Sequence, residues 1–143
     1  MKPRIVLDTC VMVAGLRSRQ GLSHQILRHL PAGRFELLLS VPLLLEYEAV
    51  LKREAQQLCH GLSLADIDTL LGTWAAVASP VELHYLWRPQ LTDPQDEMVL
   101  ETAVNGRADR LITFNVKDFS TAARRFGLPV CSPADWPRQE WQT

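Results

Sequence analysis

The sequence lacks a long hydrophobic run, a Cys-x-x-Cys pair and any excess of basic charge. Its longest apolar stretch, Phe35 to Val50, is broken by Glu36, Ser40, Pro42, Glu46 and Glu48, so it is not a bilayer-spanning helix. Lys2 and Arg4 lead into only three apolar residues, which is not the pattern of a secretory leader. The three cysteines, Cys10, Cys59 and Cys131, are far apart and odd in number, with no Cys/His spacing for zinc. They read as reduced, buried thiols of a cytoplasmic protein. The net charge of -1 provides no global field of the kind that attracts nucleic acid. It does not exclude a nucleic-acid enzyme, because acids clustered in one site cancel arginines spread around its rim. Arg outnumbers Lys 12 to 3, and a guanidinium is the better fork for phosphate.

What is present fits one soluble domain over residues 1–143, with 134–143 as a C-terminal tail. At 143 residues and 47% apolar content the chain can bury a real core. Ile5-Val6-Leu7-Asp8 is a continuous apolar run ending in an acid, the pattern of a buried strand in a parallel sheet. Thr9 to Leu16 follows as a short helix, and Leu22 to Leu30 as an amphipathic one ended by Pro31-Ala32-Gly33. His24 and His29 have no ligand partner four residues away, so surface or capping roles are expected. Phe35 to Leu39 reads as a second strand, with Ser40 as N-cap of a helix from about Val41 to Leu58. Ser63 opens another helix, whose Trp74 belongs to the core and which ends before Ser79-Pro80. Val81 to Trp87 reads as a short edge strand or an extended linker. Asp93-Pro94 starts a helix running to about Gly106. Arg110 to Asn115 is a third buried strand, Ser120 to Phe126 a short helix, and Pro129 to Ser132 a last strand. Trp136 and Trp141 either pack back on the domain or anchor a partner. Alternation of strands and helices implies a three-layer α/β/α sandwich with right-handed crossovers around a mainly parallel sheet.

Four acids stand at strand ends or on the sheet-facing side of helices. Asp8 ends the first strand, at the carboxyl edge where open α/β sheets present ligands. Glu46 has apolar neighbours Pro42, Leu43, Ala49 and Val50, but Glu48 has Leu44, Leu45 and Leu51, so helix geometry alone does not separate them. Asp96 heads the apolar stripe Val99, Leu100, Ala103 and Val104, whereas Glu97 shares the more polar face with Glu101 and Asn105. Asp93 is expected only to cap. Asp118 lies just beyond the third strand, with Thr113 and Asn115 alternating toward the same side. Carboxylates brought together repel, and persist by binding protons or cations. With no Cys or His among them, an all-oxygen set suits Mg²⁺ or Mn²⁺, and such ions on clustered acids hydrolyse phosphodiesters.

The stretches Ile5-Val6-Leu7-Asp8-Thr9-Cys10-Val11, Leu39 to Glu46, Asp93-Pro94-Gln95-Asp96-Glu97 and Leu111 to Phe119 occur in the order found in one family. The chain resembles the PIN-domain nucleases, in particular their small bacterial toxin-type (VapC-like) branch. The resemblance implies that Asp8, Glu46, Asp96 and Asp118 are both catalytic and metal-binding, and it selects Glu46 over Glu48. Thr9, Thr113 and Asn115 match positions lining the family's site. Asn115 stands where some relatives carry Asp. Cys10 stands where Asn is usual, and a thiol is the poorer hydrogen-bond partner.

The implied activity is Mg²⁺- or Mn²⁺-dependent endoribonuclease, leaving a 5′-phosphate and a 3′-hydroxyl. Arg17, Arg19 and Lys117 are candidate contacts to RNA phosphates. The resemblance also implies a homodimer and a small cognate antitoxin. A non-toxin RNA-processing nuclease and a silent RNA- or protein-binding module are the alternatives. A haloacid-dehalogenase-type phosphotransferase would want a second Asp where Cys10 stands. A receiver domain would want an acid pair and a strand-end Lys, but no comparable pair precedes Asp8 and no Lys ends a predicted strand.

Overall fold

The computed structural model describes residues 2–86 and 88–142. The chain starts with strand β1 (Arg4–Leu7), whose Ile5, Val6 and Leu7 are wholly shielded from solvent. Helices α1 (Thr9–Arg17) and α2 (Leu22–His29) lead to β2 (Glu36–Leu39). Three helices follow, α3 (Val41–Leu51), α4 (Glu54–His60) and α5 (Leu64–Val77), and then the two-residue strand β3 (Ser79–Pro80). Helix α6 (Pro94–Asn105), β4 (Arg110–Ile112), α7 (Val116–Arg125) and β5 (Val130–Cys131) complete the order.

The five strands form one parallel sheet in the order β3-β2-β1-β4-β5. Connections from β1 run outward to β2 and β3, then return across to β4 and β5. Right-handed crossovers in opposite senses clothe both faces with helices, which gives the three-layer α/β/α sandwich. The strand order reverses between β1 and β4, so the crevice for ligands opens at their carboxyl ends. Asp8 follows β1 there, and Thr113 follows β4. Gly15 is required where α1 meets α2, because a Cβ there would collide with the Leu27 side chain.

Several elements end elsewhere than the pattern suggests. The helix expected from Val41 to Leu58 breaks after Leu51, with no Gly or Pro at the break. Lys52 pairs with Glu48 at 3.0 Å and with Asp68 of α5 at 2.6 Å, and Arg53 turns extended to cap α4. The third strand stops at Ile112, and the helix expected from Ser120 starts at Val116, so Asp118 sits in a helical first turn. Ser79 and Pro80 pair with β2, and Val81 N adds one bond to Leu39 O at 3.0 Å. Residues 82–86 of the expected edge strand form no strand, and Trp87 lies outside the described residues. Cys59 is exposed, not buried as expected, because α4 buries none of its residues, while Cys10 and Cys131 are half-buried. His24 and His29 each direct Nδ1 to a backbone carbonyl, of Gly15 and Gln25 respectively.

The terminal tryptophans pack into the core. Trp136 is 1% exposed and Trp141 fully shielded. Trp136 meets Phe35 edge-on at 5.0 Å and Trp141 at 5.9 Å, and its Nε1 donates to Glu140, which Arg110 grips with Nε and Nη2. Trp136→Ala is therefore expected to cost about 3–5 kcal/mol, as large aromatic truncations in cores do. Urea unfolding followed by fluorescence of the remaining tryptophans checks this, and a cost below about 1 kcal/mol would mean that the tail is not part of the core.

Candidate active site

Asp8 is placed by the most buried strand and aimed by three donors. Its backbone N–H donates to Ile112 O at 2.9 Å, which fixes the ends of β1 and β4 together. As N-cap of α1 it accepts from Thr9 N at 2.7 Å through Oδ1. Its Oδ2 accepts from Thr113 Oγ1 at 2.7 Å and from Cys10 Sγ at 3.3 Å. Thr113 is fully buried and in turn accepts from Asn115 N at 3.0 Å, so its hydroxyl proton is committed to Asp8. Burial, followed by the charge of Asp8, pushes the Cys10 thiol up to about 12. Cys10 therefore remains a neutral donor and makes a contact to the acid that the usual Asn would also be suited to make. Burial raises the Asp8 carboxyl above the ordinary range, while Thr113, Cys10 and Thr9 pull it down. Beneath it, the fully buried Tyr47 of α3 donates its hydroxyl to Leu7 O.

A cavity of about 580 Å³ opens over Asp8 and is also lined by Glu46 and Asp96. Burial raises Glu46, with Arg53 opposing and Asp93 and Asp8 adding to the rise. Glu48 is instead paired with Lys52, so geometry separates the two glutamates that helical periodicity could not. Asp96 is pushed up to about 6, first by burial and then by the charges of Asp8, Asp93, Asp118 and Glu46. Asp118 is exposed and does not line the cavity, although its charge reaches Asp96. Asp93 caps α6 by accepting from Gln95 N at 2.9 Å, as expected, but its charge also acts on Asp8, Glu46 and Asp96. It thus belongs electrostatically to the acidic group. The sequence signal for it, an N-cap before proline, is the same as for any helix start.

Thr9 and Asn115 line the cavity, and Thr113 supports it from below. Of the expected phosphate contacts only Arg17 lines it. Arg19 and Lys117 are exposed and lie outside its lining. Arg53, which sequence reasoning passed over, lines it with Arg17. That position became visible only with the break between α3 and α4.

The first turn of α6 is held by a strap. Glu97 and Glu101 are each 3% exposed, in contrast to the polar solvent-facing side expected for them. Glu97 Oε1 accepts from Gln90 N at 2.6 Å and Leu91 N at 2.8 Å. Glu101 takes both prongs of Arg88 at 2.7 Å. Asn105 accepts from His84 N and Tyr85 N and donates to Tyr85 O. Polar groups four residues apart on α6 thereby satisfy the backbone of the segment that leads into Asp93, which buries a face that would otherwise be wet.

The donor chemistry fits a hard divalent cation: several carboxylates raise one another, and the Thr9 hydroxyl oxygen is buried with no partner. Among the described residues no three His, Cys, Asp or Glu side chains converge into a ready-made cage.

The raised Asp96 carboxyl links stability to pH. Between its ordinary value of 3.8 and about 6 the folded chain holds a proton that the unfolded chain has lost. Stability contributed by that proton is therefore present below about 3.8 and lost as pH rises through about 6. Asp96→Asn is expected to raise the melting temperature at pH 7.5 in chelator, by about 3 °C once exposure is discounted. The gain should shrink toward pH 4. Differential scanning fluorimetry across this range checks it, and an equal gain at both pH values would remove the linkage.

No curated protein matches the chain. A family profile described as PIN domain matches residues 4–117, which runs from the start of β1 to the first turn of α7 and takes in the cavity. The chain belongs to the PIN domain family, a nuclease superfamily.

Proposed function

We propose that this chain is a Mg²⁺- or Mn²⁺-dependent endoribonuclease, the toxin component of a toxin–antitoxin pair acting in the cytoplasm. The observation that supports the reading best is the cavity at the carboxyl edge of the sheet, which Asp8, Glu46 and Asp96 line and in which Asp96 is pushed to about 6. Asp8, Asp96 and Asp118 would hold the cation, with Glu46 sharing it or serving as base. When bound, the cation supplies water activation and charge neutralisation at the phosphodiester.

The chain's own groups do the rest. Asp8 is pinned at both oxygens, so it presents a fixed carboxylate without reorganisation. Glu46 faces the cavity within the field of Arg53 and takes the proton of the attacking water. The water oxygen forms the new bond to phosphorus as the bond to the 3′-oxygen breaks. A 5′-phosphate is left, and the departing 3′-oxygen takes a proton from solvent water to become a 3′-hydroxyl.

The toxin reading rests on resemblance to the VapC-like branch, and it brings with it a homodimer and a small antitoxin. The exposed Val41 and Leu45, one turn apart on α3, offer apolar surface for such contacts.

Purified chain incubated with total RNA and Mn²⁺ should yield discrete fragments bearing 5′-phosphates. Asp8→Asn should abolish them while melting cooperatively, and full activity in that variant would sink the assignment. Mn²⁺ should raise the melting temperature of the parent and not of Asp8→Asn. Induced expression in a bacterial host should arrest growth, with relief by Asp8→Asn. Normal growth with active enzyme would favour an RNA-processing role.

A further inference from the structure

The two helical walls of the cavity carry the same order of chemistry. Along α1 and its caps the lining residues run from Asp8, through Val13 and Ala14, to Arg17 and Ser18. Along α3 and the break after it they run from Glu46, through Val50, to Arg53. Each wall thus reads acid, aliphatic, guanidinium, the first along one face of α1 and the second along α3 to the cap of α4. The helix rise of about 1.5 Å per residue puts the Arg17 backbone roughly 12 Å along α1 from Thr9. The acidic end is the proposed reaction centre. Beyond the field of Arg53 on Glu46, the two guanidiniums are not used by that chemistry.

Arg17 and Arg53 are exposed, and neither is in an ion pair among the described residues. This sets them apart from Arg4, Arg88 and Arg110, whose guanidiniums are held by Glu36, Glu101 and Glu140. Arg17 Nη2 donates to the Cys59 sulfur of α4 at 3.4 Å. That contact orients the guanidinium without neutralising it. Two guanidiniums outside any ion pair among the described residues thus line one cavity with the acids, each following the acid and aliphatic residues of its own wall in the chain. Together they form a site for an anion held at a fixed distance from the acids.

Resting on the nuclease reading, we propose that Arg17 and Arg53 form a flanking-phosphate subsite that binds a backbone phosphate of single-stranded RNA other than the one cleaved. An unpaired base between the two phosphates lies against Val13, Ala14 and Val50. A duplex strand advances about 3.4 Å per phosphate and an extended strand further, so the span reaches at most about three phosphates away. Aliphatic side chains in the middle of the groove reward a base that is splayed from its partner. With no aromatic platform in the lining they give little discrimination among bases.

The test measures binding apart from cleavage. Full-length Asp8→Asn in chelator is titrated against a 3′-fluorescein-labelled 12-nucleotide RNA at several salt concentrations, read by anisotropy. Adding Arg17→Ala or Arg53→Ala should weaken binding about tenfold each at low salt. Each should also flatten the slope of log Kd against log salt by about 0.7, the loss of one phosphate contact on a single strand. Arg17→Lys should keep the slope, and Arg19→Ala should change neither quantity. A duplex of the same sequence should bind less tightly.

Unchanged slopes in the two alanine variants, tighter duplex binding, or no RNA binding at all would each overturn the subsite. The two readings fail separately. If slopes fall as expected but the parent cuts no RNA, the nuclease reading is lost and the groove stands. If RNA is cut in an Asp8-dependent way but the slopes do not move, the groove alone is lost.

Discussion

A carboxylate at the end of the central strand has to be kept in place, and the hydrogen bond from Thr113 to Asp8 does most of that. It joins residues that are 105 positions apart, each directly beyond a neighbouring strand. The bond exists because β1 and β4 pair in parallel with Leu7 opposite Ile112, which brings their carboxyl ends level. A slip of one residue would turn either side chain toward the opposite face of the sheet and empty the site. The buried run Ile5, Val6 and Leu7 fixes the register, since any slip would also expose apolar surface or bury polar groups. Core packing and site geometry are therefore one constraint.

Asp96 depends on a different device. It rides on the first turn of α6, and that helix is approached through a segment that leaves the sheet after Val81. Unpaired backbone against a protein surface carries N–H groups that need acceptors. Glu97, Glu101 and Asn105 supply acceptors, directly or by holding Arg88, and so fasten the segment to α6. Burying two carboxylates is unfavourable unless each is fully bonded. Here the bonds are to backbone donors and a bidentate guanidinium, which lets a charged pair of glutamates sit beneath the strap.

Much of this was legible in the sequence where local chemistry decides. The apolar run before Asp8 marks a buried strand, Asp93-Pro94 marks a helix start, and the stripe after Asp96 shows which way that acid faces. The alternation of elements gave the layered sandwich. What was not legible depends on contacts between distant residues. The break after Leu51 has no local breaker, because it arises where Lys52 bridges Glu48 and Asp68 of another helix. Glu97 and Glu101 look like a solvated face until the strap covers them. Arg53 is an ordinary surface residue in a continuous helix and a cavity residue only in a broken one. Cys10 looked like a weakened position, yet burial keeps its thiol protonated and able to donate to Asp8.

The near-zero net charge now has a structural reading. Sixteen acids and fifteen basic residues nearly cancel in number, but over the cavity they do not cancel in space. Acids gather where α1 and α6 begin and along α3, and guanidiniums gather where α1 and α3 end. A single chain-wide charge hides this separation, which is why composition alone could not argue for nucleic acid. A polyanion meeting such a groove is attracted at one end and repelled at the other. Cation binding among the acids would weaken the repulsion and leave the arginines' attraction intact. The metal would then serve binding as well as chemistry. Under the proposed function, substrate would be admitted most readily to the loaded site, because the carboxylates that would hold the ion would oppose a polyanion without it.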